Sequence, residues 1–192
     1  MIDLTSLFKE FCEYLNEKIK WAGKDKTSKK SITKLVFKFF NQKISQKEGL
    51  IKNSPWMLID AIWRYPKSKY TDECIQIALE HEISKRKISD FLETEIPRLI
   101  DVKAKYKIGI FYPSSDIDEK ELREVIKKKL QNSNFLAIPW EEYLFIFGRP
   151  NRQAGENVIL FKAFHYYYNS SENRNVKVET LDQIIINQKR IV

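Results

Sequence analysis

A chain of 192 residues, 43% hydrophobic and 13% aromatic, is too apolar to stay disordered and long enough to bury the core of one domain. Its 34 Lys and Arg against 26 Asp and Glu leave a net charge of +8, which favours polyanionic partners, nucleic acid first. Two cysteines without CxxC or zinc-like spacing, an amphipathic start that is no signal peptide, and no apolar run of ~20 residues predict a cytoplasmic protein with no membrane partner.

In chain order, LTSLFKEFCEYLNEKIKW places Leu4, Leu7, Phe8, Phe11, Leu15 and Ile19 at helical spacing. A basic loop, GKDKTSKKS, leads to a second helix, ITKLVFKFFNQKI, with Leu35, Val36, Phe39 and Phe40 on its apolar face. Lys24, Lys26, Lys29, Lys30, Lys34 and Lys38 form either a phosphate-gripping surface or simply a solvated one. EGLIKNSP reads as a short strand. WMLIDAIWRY reads as a central strand, Met57, Ile59, Ala61 and Trp63 on one face and Leu58, Asp60 and Ile62 on the other.

CIQIALEHEI is the next strand, across the turn YPKSKYTD. ISDFLETEIPRLIDVKAKY is a helix, with Ser89 as N-cap and Pro97 kinking or dividing it. KIGIFYP is a strand. SSDIDEKELREVIKKKLQN is a helix with Ser115 and Asp118 in a capping box and lysines at its end. EYLFIFG follows as a strand parallel to the previous one, NVILFKAFHYYY as another, and the tail VKVETLDQIIINQKRIV fits strand or helix. The fold class predicted is α/β, a mixed central β-sheet flanked by helices, in one domain over 1–192. Residues 1–45 hold the N-terminal helices, 50–148 the core and 149–192 a C-terminal extension.

The acids mark the candidate site. Asp60, mid-strand between apolar neighbours, needs a partner, since an unpaired buried carboxylate costs several kcal/mol. An Arg, a Lys, backbone N–H groups or a divalent metal would serve. With the hairpin centred near residues 68 to 70, Asp60 falls opposite residues 76 to 80, near Glu80, and Glu82 shares the Glu80 face. Three converging carboxylates would repel without a cation, and such hard oxygen ligands suit Mg²⁺ or Mn²⁺. His81 has the opposite parity and is expected to pack on the core. His165, among aromatics in FHYYY, is expected to be structural. No phosphate-cradling glycine loop or nucleophile triad is present.

Asp60 in MLIDAIWRY followed by Glu80-His81-Glu82 resembles the PD-(D/E)XK nuclease superfamily, the restriction-endonuclease-like fold, over about residues 30 to 112. Asp60 matches the first acid and Glu80-His81-Glu82 the D/E-x-K element. FLETEIPRLIDVKAKYKIGIFY looks like the helix and strand packed beside that site. The resemblance implies an α-β-β-β-α-β core. This chain departs from it at Ile59, where the family has Pro, and at Glu82, where it has Lys; some restriction endonucleases of the superfamily also carry Glu there. The resemblance implies a basic residue supplied by Arg98 or Lys103.

It further implies phosphodiester hydrolysis. Asp60 and Glu80 would hold Mg²⁺ or Mn²⁺, and Glu82 would be general base or further ligand. Nucleic acid, chiefly DNA, would lie along Lys85, Arg86 and Lys87, and Glu48 would complete the shell. A homodimer is left open. Two other readings stand beside this one: a catalytically silent nucleic-acid-binding module on the same fold, and a protein–protein adaptor.

Overall fold

A computed structural model describes residues 2–21, 29–46, 49–53, 55, 58–66, 75–82, 88–112, 119–133, 141–150, 158–169 and 175–187. Helix α1 (Leu4–Trp21) starts where Asp3 caps it. The Asp3 carboxylate accepts the backbone N–H of Thr5 at 2.9 Å and of Ser6 at 3.2 Å, satisfying donors that have no partner within the helix. Helix α2 (Lys29–Phe40) runs on into a wider π-helical segment, Asn41–Gln46. Their apolar faces meet through Phe11, whose ring centroid lies 5.4 Å from Phe39 and 5.6 Å from Phe40. Each ring buried this way contributes about 1.5–3 kcal/mol.

Among the described residues, seven strands form one sheet in chain order: β1 (Ile51–Asn53), β2 (Ala61–Arg64), β3 (Ile75–Glu82), β4 (Ala104–Phe111), β5 (Glu142–Pro150), β6 (Val158–Asn169) and β7 (Asn175–Asn187). The two central pairings, β3 with β4 and β4 with β5, are parallel, and the other four are antiparallel. Parallel neighbours need crossovers. The first is α3 (Ile88–Asp90), a π-helical turn (Phe91–Glu95) and α4 (Ile96–Asp101); the second contains α5 (Glu119–Asn132). Successive crossovers of one hand, stepping in one direction, place their helices on the same face. Phe91, Ile96, Leu99, Leu122, Ile126 and Leu130 accordingly share one apolar cluster, and α1 and α2 cover the opposite face. The α/β class with a mixed sheet between helical layers is as expected.

Strand β4 is buried on both sides. Tyr106, Ile108 and Ile110 face α1 and α2, and Phe111 faces the crossover helices. Lys107, fully buried, is held by three acceptors: Ile100 O at 2.9 Å, Glu141 Oε2 at 2.8 Å and Tyr143 Oη at 3.1 Å. An ammonium has three donors, so each is engaged.

Several expectations are corrected. The strand from WMLIDAIWRY is only Ala61–Arg64. Leu58 has φ +73°, and Ile59 joins Ile62 in the crossover-side cluster instead of sharing the Ala61 and Trp63 face. A left-handed residue breaks the alternation on which that parity rested. Val102–Tyr106, expected as helix, leaves the helix at Val102 with extended backbone (ψ 131°) and enters β4 at Ala104. Ser89 lies inside α3 rather than before it. At Pro97, where a kink or two abutting segments were expected, the backbone stays helical through Glu95 and Ile96, and the π-helical turn gives way to α4 there. The ambiguous tail pairs as strand β7. The proposed cap at Ser115 and Asp118 lies outside the described residues.

Candidate active site

Register brings the first two acids together. β2 pairs with β3 so that Ala61 lies opposite Leu79, which sets Asp60, one residue before the strand, beside Glu80 and His81. Asp60 Oδ2 accepts the backbone N–H of His81 at 2.8 Å. A backbone donor, one of the partners open to Asp60, is therefore in use. The turn that delivers Asp60 is strained, because a leucine in the left-handed region costs about 1–2 kcal/mol.

Glu80 is buried, and its Oε1 makes no hydrogen bond. Burial raises its pKa to about 9, helped by the Asp60 charge, by a hydrogen bond shared with Asp60, and by Glu95; Arg98 pulls the other way. At neutral pH burial, reinforced by the Asp60 charge, keeps the Glu80 carboxyl protonated and hydrogen-bonded to Asp60.

Glu95 is the member that sequence reasoning missed. It is buried at the end of the π-helical turn; Arg98 Nη1 donates to its Oε2 at 2.8 Å and Thr94 Oγ1 to its Oε1 at 3.2 Å. The Glu95–Arg98 spacing of three residues was legible as a helix ion pair, but not its direction toward Glu80. Arg98, expected as a basic residue supplied by the helix, does reach the site electrostatically.

Glu82, at the end of β3, is half-buried. Its charge acts on His81, while the groups acting on Glu80 are Asp60, Glu95 and Arg98. Among the described residues, no group of three or more His, Cys, Asp or Glu side chains is close enough to hold an ion. Lys85, Arg86, Lys87 and Glu48 lie outside the described residues. Lys34 and Lys38 are exposed on α2.

His81 packs as expected on the α1–α2 side, edge-on to Phe37 at 6.0 Å and Tyr112 at 5.6 Å. Burial lowers its pKa to about 4, so the ring is neutral. His165 Nε2 lies 3.0 Å from Glu142 Oε2, remote in sequence from the acids of β2 and β3.

A cavity of about 780 Å³ lies between β1, β2 and α4; none of Asp60, Glu80, Glu82 and Glu95 lines it, but Arg98 does. Its walls include apolar Ile59, Ile62 and Val102 and the cationic Arg64, Arg98 and Lys103. Leu58, 77% exposed, stands at its edge.

No family model matches the chain, and no curated protein matches it. Among solved structures, the chain is similar to the central domain of yeast acetyl-CoA carboxylase at 10% identity and a TM-score of 0.37, over 75% of this chain and 26% of that one. The chain thus spans about a quarter of that structure's length, and so slight a likeness carries no argument. Among the described residues, no helix is long and apolar enough to cross a membrane.

Proposed function

We propose that the chain is a metal-dependent nuclease of the PD-(D/E)XK kind, acting on nucleic acid, most readily DNA. The observation that carries this reading is the Asp60–Glu80 carboxyl pair, set where β2 and β3 meet and flanked by Glu95 and Arg98 from the crossover helix. The order helix, three antiparallel strands, helix, parallel strand supports it too.

The donors suit a hard divalent cation: carboxylate oxygens, one of them buried and without a partner. Asp60 and Glu80 would hold the ion, which when bound supplies Lewis-acid activation of water at the scissile phosphate. The chain's own groups act around it. The His81 N–H fixes the Asp60 carboxylate, and Arg98, bridged to Glu95, partly offsets the negative charge that Asp60 and Glu95 bring beside Glu80. Glu82 sits where the superfamily carries lysine. That substitution favours a second reading, a nucleic-acid-binding module without catalysis.

A cleavage assay on DNA and RNA with Mg²⁺, Mn²⁺ or EDTA tests both, and Glu80→Gln should abolish cleavage. Mn²⁺ at a hundredfold excess over Kd should stabilise the wild type by about 2.7 kcal/mol and the variant far less. Equal thermal shifts for the two would remove Glu80 as a ligand. Salt-sensitive binding without cleavage would leave the second reading.

A further inference from the structure

The cavity between β1, β2 and α4 has a composition that the carboxyl pair does not explain. Its floor is apolar, from Ile59, Ile62 and Val102, while Arg64, Arg98 and Lys103 stand on its walls against one acid, Asp101. Arg98 bridges Glu95 at 2.8 Å while 41% of its side chain stays exposed, and Arg64 bonds Asn53. The exposed Lys103 and the open part of Arg98 are thus the cations left to meet an anion. An apolar slot with such cations on its wall fits a ligand that is flat and apolar in one part and anionic in another. Its roughly 780 Å³ holds about one or two nucleotides. A base stacked inside a duplex cannot enter such a space without leaving its stack.

Leu58 adds an independent observation. It lines the cavity, is 77% exposed, and is held at φ +73° two residues before Asp60. A large apolar side chain kept in water on a strained backbone is the kind of outlier that ligand clamps show. Arg98 belongs to the cavity wall and its charge also acts on Glu80, so one residue links the cavity to the carboxyl pair.

We propose that this cavity takes an unpaired nucleotide of a single-stranded nucleic acid, its base against Ile59, Ile62 and Val102 under Leu58, and its phosphates toward Arg98 and Lys103. The inference rests on the nuclease reading only for what then happens to the strand. It narrows the substrate to single strands, flaps or frayed ends.

Binding in EDTA separates the two claims, because no cleavage occurs. Fluorescence anisotropy with a labelled DNA single strand of about 20 nucleotides, and with the blunt duplex it forms, should show at least about tenfold tighter binding of the single strand. Leu58→Gly should cut that preference about fivefold or more and leave duplex binding as it was. Because glycine accepts positive φ, the same variant should keep or raise the melting temperature. Lys103→Glu, at an exposed position, should weaken single-strand binding as well. Equal affinity for the two DNAs, or an undiminished preference in Leu58→Gly, overturns the inference. With Mn²⁺ present, single-strand preference without cleavage supports the cavity assignment and removes the nuclease reading. Cleavage of blunt duplex as fast as of single strand does the reverse.

Discussion

Glu80 and His81 are neighbours on β3, yet they point to opposite layers and titrate in opposite senses. Glu80 has its pKa raised from 4.5 to about 9, so the folded chain keeps a proton that the unfolded chain gives up. Its contribution to stability is complete below pH 4.5 and is lost as pH rises toward 9. His81 falls from 6.5 to about 4, and its contribution is complete above pH 6.5 and is lost as pH falls toward 4. Each slope approaches about 1.4 kcal/mol per pH unit, and between pH 4.5 and 6.5 the two cancel. Urea unfolding is therefore expected to show a plateau in that window and a decline on either side. Glu80→Gln should remove the alkaline decline, and His81→Phe, a ring of similar shape among Phe37 and Tyr112, the acid one. An alkaline decline that persists in Glu80→Gln would mean that another group causes it.

At the scale of the elements, β4 ties the Glu80 side of the sheet to the crossover helix. Gly109 is the β4 partner of Glu80, and a Cβ placed on it would stand 2.6 Å from the Phe111 ring and 2.9 Å from Phe145. The Phe111 ring is stacked on Phe91 at 5.1 Å, at the start of the π-helical turn that ends in Glu95. Gly109→Ala should cost about 1–3 kcal/mol by overpacking, read from the urea midpoint. A loss below about 0.5 kcal/mol would show that the rings have room to move.

The same elements show what the sequence reveals. The meeting of Asp60 with Glu80 was legible because it depends on a hairpin centre and on the two-residue period of a strand that pairs regularly with β4 from Ile77 to Glu82. The start of β2 was not, because nothing in the side chain of Leu58 signals positive φ as Gly or Asn would. Val102–Tyr106 carries no helix-breaking residue, and its departure from the helix follows from pairing with β3, a long-range cause. Glu95 was hidden because a π-helical turn shifts every later residue off the 3.6-residue period.

For the whole molecule, the net charge of +8 should appear as salt dependence. If about five phosphates are neutralised, log affinity for nucleic acid should fall against log salt with a slope near −4 to −5. Binding that is absent even at low salt would favour the adaptor reading. Finally, the order of strands in space is their order in the chain. During synthesis, each new strand can join a finished edge, and none has to be inserted between two others. The N-terminal helices do not share this ease. The Phe11 ring also packs on Phe161, at 5.9 Å, and so waits for β6 to emerge. At about 5–20 residues per second that delay is on the order of 10 seconds. Throughout it the apolar stripe of α1 lacks part of its cover on the nascent chain, which makes it the surface for a holdase chaperone to meet first.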